Sequence, residues 1–168
     1  MIDQRHLHNL EQAYLADHAH PDRVDTLVVG AGSVRLTVKM GDEDRRPDGA
    51  LKQGTVYDTL HDAAQLAAAS LTEDLTLTTD EFVLSPMNDL SAELLTARAQ
   101  VTTFKRDRIV VAASLTDEHG RTLATARGVF RLHDEEDLED LTQDLSTEDR
   151  SPITQVVWMT PFGPIFPN

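Results

Sequence analysis

The sequence predicts an α+β domain in which an antiparallel sheet wraps around one long central helix. Three observations predict it. Residues 53–71 are rich in alanine and leucine, and Val56, Leu60, Ala64, Ala67 and Leu71 fall on one side at helical spacing. Four β-rich segments follow, at 75–84, 92–104, 108–116 and 122–132. Their alternation puts Leu95, Ala97, Ala99 and Val101 on one face and Ile109, Val111, Ala113 and Leu115 on another. The links between them are short and turn-like, which implies an antiparallel meander with the helix lying on it.

Along the chain, residues 2–18 place Leu7, Leu10, Tyr14 and Leu15 at helical spacings, and Pro21 ends the pattern, so an N-terminal helix is expected. Residues 24–29 and 34–40 are β-rich, with Gly30-Ala31-Gly32-Ser33 as their hairpin connection. The charged break at 41–49 reads as a surface loop leading to the central helix. Ser85-Pro86-Met87-Asn88-Asp89, Lys105-Arg106-Asp107 and Asp117-Glu118-His119-Gly120 then separate the four later strands in turn. After His133 the chain becomes strongly acidic, and Leu138, Leu141 and Leu145 are spaced for one face of a short helix. The last residues hold the sole tryptophan, Trp158, with Phe162 and Phe166, a composition that predicts docking on the domain or on a partner subunit. The expected organisation is therefore one domain over 1–133, including the N-terminal helix, and an acidic C-terminal extension with an apolar tail over 134–168.

Composition excludes several functions. A formal charge of -14 with only 15 Lys and Arg disfavours nucleic acid and an anionic membrane, because both need a net of cationic side chains. Asp greatly outnumbers Glu and only Lys39, Lys52 and Lys105 are lysines, a balance compatible with a high-salt habitat or with a plain solubility surface. The absence of cysteine removes disulfides, thiolate metal sites and a Cys nucleophile together. No apolar run approaches the roughly 20 residues of a membrane span, and the first residues lack a signal-peptide core, so the expected location is cytoplasmic.

Several motifs fail on context. Leu27-Val28-Val29-Gly30-Ala31-Gly32 imitates a dinucleotide-binding turn, but Arg35 stands at the third glycine and a strand follows instead of a helix. His6-Leu7-His8 and His18-Ala19-His20 invite a metal, yet residues two apart on a helix point to different faces and no acid cluster completes a ligand set. No Gly-x-Ser-x-Gly elbow supplies a serine nucleophile, and the acidic run near Asp134 lacks calcium-loop spacing. Neither a metal nor a cofactor is expected.

The central helix is the informative segment. Gly54 and Thr55 at its start leave backbone N–H groups free for an oxyanion, while Asp58, Asp62, Gln65 and Ala69 form a polar stripe whose ordinary reading is a face turned to water. Gln53-Gly54-Thr55 followed by Asp62 nine positions after Gln53, Leu60 two before the Asp, Ser85-Pro86 and the hairpin from Asp117 to Ala124 together resemble the hotdog-fold acyl-CoA thioesterases of the phenylacetate-pathway type, over residues 34–132. Members of that family carry His-Gly-Gly before the helix. Here Gln53 replaces the histidine, Thr55 replaces the second glycine, and Pro47 and Asp48 stand where many members have an asparagine. A register slid by one residue would put His61 at the Asp position and lose the leucine match.

The resemblance implies a hotdog fold and hydrolysis of an acyl thioester in a site built between two subunits of a homodimer or homotetramer. It implies Asp62 as general base or nucleophile, the Gly54 N–H as oxyanion donor, Gln53 orienting the carbonyl or the water, and Thr76 positioning the water. Asp58 and His61 are secondary candidates, His61 as a partner of either aspartate. If the substrate is a coenzyme A ester, its phosphates need basic residues, and Arg45, Arg46, Lys52, Lys105, Arg106 and Arg108 are the clusters available. The departures at Gln53, Thr55 and the missing asparagine suggest a rival, a hotdog module binding an acyl or aromatic ligand without turnover, and a purely structural oligomerising domain is a third reading.

Overall fold

The structure, a computed structural model, describes residues 3–73, 76–86, 88–133, 155–160 and 163–165. Helix α1 (Gln4–Asp17) starts on Asp3, whose side chain accepts the Arg5 N–H, the usual way a short acid satisfies a free donor at a helix start. Strands β1 (Val24–Gly30) and β2 (Ser33–Lys39) form the expected hairpin, with Gly32 at a positive φ of 77° that only glycine adopts without strain. The break at 41–49 contains a single 3₁₀ turn, Asp42–Asp44, and an isolated bridge between Arg45 and Leu51. Then come α2 (Gln53–Ala69), β3 (Thr76–Pro86), β4 (Leu94–Phe104), β5 (Arg108–Thr116) and β6 (Thr122–His133). Two further strands, β7 (Gln155–Thr160) and β8 (Gly163–Ile165), carry the apolar tail.

The strands form one sheet in the order β1-β2-β4-β5-β6-β3-β7-β8. All pairings are antiparallel except β3 with β7, so the tail docks on the domain as two strands added beside β3, with β8 at the edge. The acidic stretch with Leu138, Leu141 and Leu145 lies outside the described residues. One expectation needs correcting. The segment that forms β3 is not the first strand of a meander: β3 pairs with β6, and only β4, β5 and β6 are hairpin neighbours in series. Ser85 and Pro86 end β3 instead of turning directly into β4, and the seven residues between the two strands cross to the other side of the β4-β5-β6 meander. Seven residues exceed the two to five of a tight hairpin, and that extra length is what permits the crossing.

The core lies between α2 and the sheet. Val56, Leu60, Ala63, Ala64, Ala67 and Ala68 are fully buried on one helix face and meet Leu36, Leu95, Ala97, Val111, Leu115 and Phe130. Four alanines on that face let the helix approach closely, while Leu60 and Val56 fill the gaps. This is the hotdog arrangement, one long helix held against a sheet. Gly128 in β6 is required by the same packing, since an added Cβ would meet the Phe130 ring at 2.8 Å and the Phe82 ring at 3.1 Å. At its C-terminal end α2 is tied to the β1–β2 turn by Ser70, whose hydroxyl donates to the Ala67 carbonyl at 2.6 Å and accepts the Gly32 N–H at 2.7 Å.

Candidate active site

Asp62 sits on the outer side of α2, opposite the core face, yet it does not face open water. Helix α1 crosses over it, and the Tyr14 hydroxyl donates to Asp62 Oδ2 at 3.1 Å. Two cavities open on either side of this contact. One, of about 220 Å³, is polar and reaches His18, His20, Arg23, Lys39 and Asp44. The other, of about 240 Å³, is bounded by Leu10, Ala13, Leu66 and Ala69. Both are lined by Tyr14 and Asp62.

Burial raises the Asp62 carboxyl from 3.8 to about 6; Asp58 nearby adds to the rise, and the Tyr14 hydrogen bond opposes it. A carboxyl poised near neutral pH is suited to take a proton from water and return it. Burial first, then Asp62 and Asp58, push the Tyr14 hydroxyl above its ordinary range, so it stays protonated and acts as a donor. Asp58, one turn earlier, is raised by burial as well. The polar cavity is walled by Arg23, which pairs with Glu43 and, at 3.2 Å, with Asp44. Gly41 makes that possible, because a Cβ there would lie 2.6 Å from the Arg23 guanidinium.

Within one chain, α2 keeps Gln53 and Gly54 apart from Asp62. Gln53 and Gly54 are exposed at the start of α2, where Lys52 provides no side-chain cap, so the N–H groups of the first turn remain open to a ligand. An added Cβ on Gly54 would meet nothing within 4 Å. Gly54 and Asp62 are separated by more than two helical turns, about 12 Å along the axis, too far for both to touch one carbonyl group. Thr76 is the first residue of β3, paired with His133.

His61 turns away from both aspartates. Its Nε2 hydrogen-bonds Thr79 Oγ1 at 2.8 Å, and its ring packs against Tyr57, Phe82 and Phe130 with centroid separations of 5.5, 5.2 and 6.0 Å. Burial lowers its pKa, which favours the neutral ring. The paired histidines of the N-terminal region also serve separate ends: His6 donates to the Ala69 carbonyl at 2.8 Å, and His18 Nδ1 accepts the His20 N–H at 2.9 Å.

Of the basic clusters, Arg45 is engaged by the Ala92 carbonyl and Glu93, and Arg46 by Asp48. Lys52 is exposed beside the start of α2, and Lys105, Arg106 and Arg108 are exposed at the β4–β5 turn. A wider groove of about 630 Å³ on the sheet is lined by Arg35, Arg98, Ser33 and Ser114, but no Asp, Glu or His lines it to act as a base. Tyr14 is the site residue that the sequence reading passed over. Its one signal was a polar-tipped aromatic on the apolar stripe of α1, and its partner lies 48 residues away.

The fold is shared with several solved structures. A thioesterase family protein from Silicibacter pomeroyi superposes with a TM-score of 0.67 at 23% identity, over 73% of this chain and 94% of that one. The Escherichia coli PaaI protein from the phenylacetic acid degradation operon gives 0.66 at 17% identity, over 76% and 96%. A hypothetical thioesterase protein from Streptococcus pneumoniae, solved with coenzyme A, gives 0.64 at 16% identity, over 73% and 96%. Neither a family model nor a curated protein matches the sequence. At these identities the likeness establishes the fold: the chain is a hotdog protein whose described residues include no helix long and apolar enough to cross a membrane.

Proposed function

We propose that the chain is a thioester hydrolase that cleaves an acyl thioester, with a coenzyme A ester as the leading substrate, by Asp62-assisted attack of water. The observation that carries this reading is Asp62 itself: a carboxyl raised to about 6, set under a tyrosine and opening onto two cavities, where the ordinary fate of its stripe is exposure. Water adds to the thioester carbonyl carbon as its proton passes to Asp62. The tetrahedral intermediate then expels the sulfur, which leaves as the thiol with that proton.

The developing oxyanion needs a donor, and the open N–H of Gly54 at the positive end of α2 has the right character. Because it lies about 12 Å from Asp62 in the same helix, the two act on one substrate only if Gly54 comes from a second copy. A homodimer is therefore the smallest complete enzyme in this reading. Gln53, exposed beside Gly54, would orient the substrate carbonyl from the same subunit, and Thr76 would hold the water. The structural neighbours named as thioesterases, one of them holding coenzyme A, support the substrate class.

The test is hydrolysis of a panel of acyl thioesters by the native protein and by Asp62→Asn. Turnover by the native protein that disappears in the variant supports the reading. Stabilisation by a thioester analogue with no turnover in either form would instead identify a binding module.

A further inference from the structure

We propose that Tyr14 is a positioning residue for Asp62: its hydroxyl holds Oδ2 in place and leaves the second carboxyl oxygen to take the proton of a water at the junction of the two cavities. The proposal rests on the reading of Asp62 as the base.

The geometry supports it in three ways. Tyr14 donates to Asp62 Oδ2, and the other carboxyl oxygen has no protein donor among the described residues. A buried carboxylate with one oxygen occupied by a protein donor is fixed in rotation, and the remaining lone pairs then point in a defined direction. Tyr14 also lines both cavities, so its ring forms the wall between the polar chamber and the one bounded by Leu10, Ala13 and Leu66. Finally, α1 is held at points away from Tyr14. Leu7 is buried, His6 donates to the Ala69 carbonyl at 2.8 Å, and Glu11 Oε2 accepts the Val29 N–H at 3.3 Å. The hydroxyl is thus presented by a docked helix with anchors on both α2 and β1.

Other charges face the same space. His18, His20 and Arg23 lie beyond the end of α1, Lys39 belongs to β2, and Asp44 to the 3₁₀ turn before α2. Asp58 lies one turn earlier on α2, and Asp17 borders the second cavity. Of these, Asp58 is the one whose charge shifts Asp62 through space, whereas Tyr14 acts through a hydrogen bond, and that difference is what the experiment reads.

Tyr14→Phe keeps the ring and removes one oxygen. In the full-length protein, the Asp62 side chain is titrated by carbon-13 carboxyl NMR, and thioester hydrolysis is followed as a function of pH. The expected result is an Asp62 midpoint raised by about one pH unit, since a hydrogen bond to the charged form is lost. The acid limb of the rate profile should move with it, so that kcat falls about twofold at pH 7 and about tenfold well below pH 6, with KM nearly unchanged. His6→Ala is the structural control. It removes one anchor while buried Leu7 and the Glu11–Val29 bond still hold α1 and its hydroxyl, so it should lower stability and leave the midpoint in place. An Asp62 midpoint that does not move in Tyr14→Phe overturns the proposal, even if Asp62→Asn is inactive. Undiminished turnover by Asp62→Asn overturns the base itself and the positioning role with it.

Discussion

His61 and Asp62 are adjacent on one helix, and the structure sends them to opposite flanks. On one side, His61 is packed among Tyr57, Phe82 and Phe130 with Thr79 on its ring nitrogen. On the other, Asp62 is covered by a single tyrosine between two cavities. Burial acts on both: it lowers the histidine and raises the aspartate, so each is pushed toward its neutral form. A shifted titratable group is thus not in itself a site. What marks Asp62 is that it lines two cavities in which a substrate and a water can meet, whereas His61 is held by aromatic rings and Thr79.

That contrast can be broken from either flank. The largest effect is expected from Asp62→Asn, which should reduce thioester turnover by about 10² to 10⁴-fold in a steady-state assay. The same variant should not be less stable at pH 7.5. Asp62 is raised in the fold, so it holds its proton more tightly folded than unfolded, and stability falls as pH rises from 3.8 through about 6. Removing the charge should recover on the order of 1 kcal/mol in denaturant melts above that window, allowing for partial exposure. Turnover in the native protein should follow the opposite trend and rise with pH through about 6 as Asp62 loses its proton, which a pH–kcat profile checks.

On the other flank, His61→Ala should cost about 1 to 3 kcal/mol of stability by chemical denaturation, through lost ring packing, and leave the acid limb of the rate profile where it was. A limb that moved would make His61 a participant. The smallest structural effect belongs to Gly54→Ala. The new Cβ meets nothing, so helix propensity alone should raise stability by about 0.5 to 1 kcal/mol. If substrate closes on the Gly54 backbone, turnover falls although the fold gains, and the pair of measurements shows which surface is in use.

The extent to which the sequence anticipated these features differs between fold and site. Alternation in β4 and β5 places Leu95, Ala97, Val111 and Leu115 in the core as expected, because a period of two depends only on local pleating. The position of β3 was not legible. Segments adjacent in sequence are most often adjacent in a sheet, and nothing local in Ser85-Pro86 distinguishes a turn from the start of a crossing. For the site, the stripe through Asp58, Asp62 and Gln65 was visible, and Asp58 and Gln65 are indeed exposed. The covering of Asp62 was not, because it depends on where α1 docks, a contact between residues 48 positions apart. The same limit applies to His61, whose two open partners on its own helix gave way to Thr79 across the core edge.

The central claim is that Asp62 of one copy works with the Gly54 N–H of another, and subunit complementation tests it most directly. Asp62→Asn and Gly54→Pro, the latter removing the N–H at a first-turn position that tolerates proline, would each be made as a homo-oligomer and shown to be inactive. The two are then unfolded, mixed in equal amounts and refolded together. A shared site predicts recovery of about one quarter of native activity, because half of the dimers are mixed and one of the two sites in each is intact. No recovery from a mixture shown to contain mixed dimers would contradict the claim and place any catalytic site within a single chain.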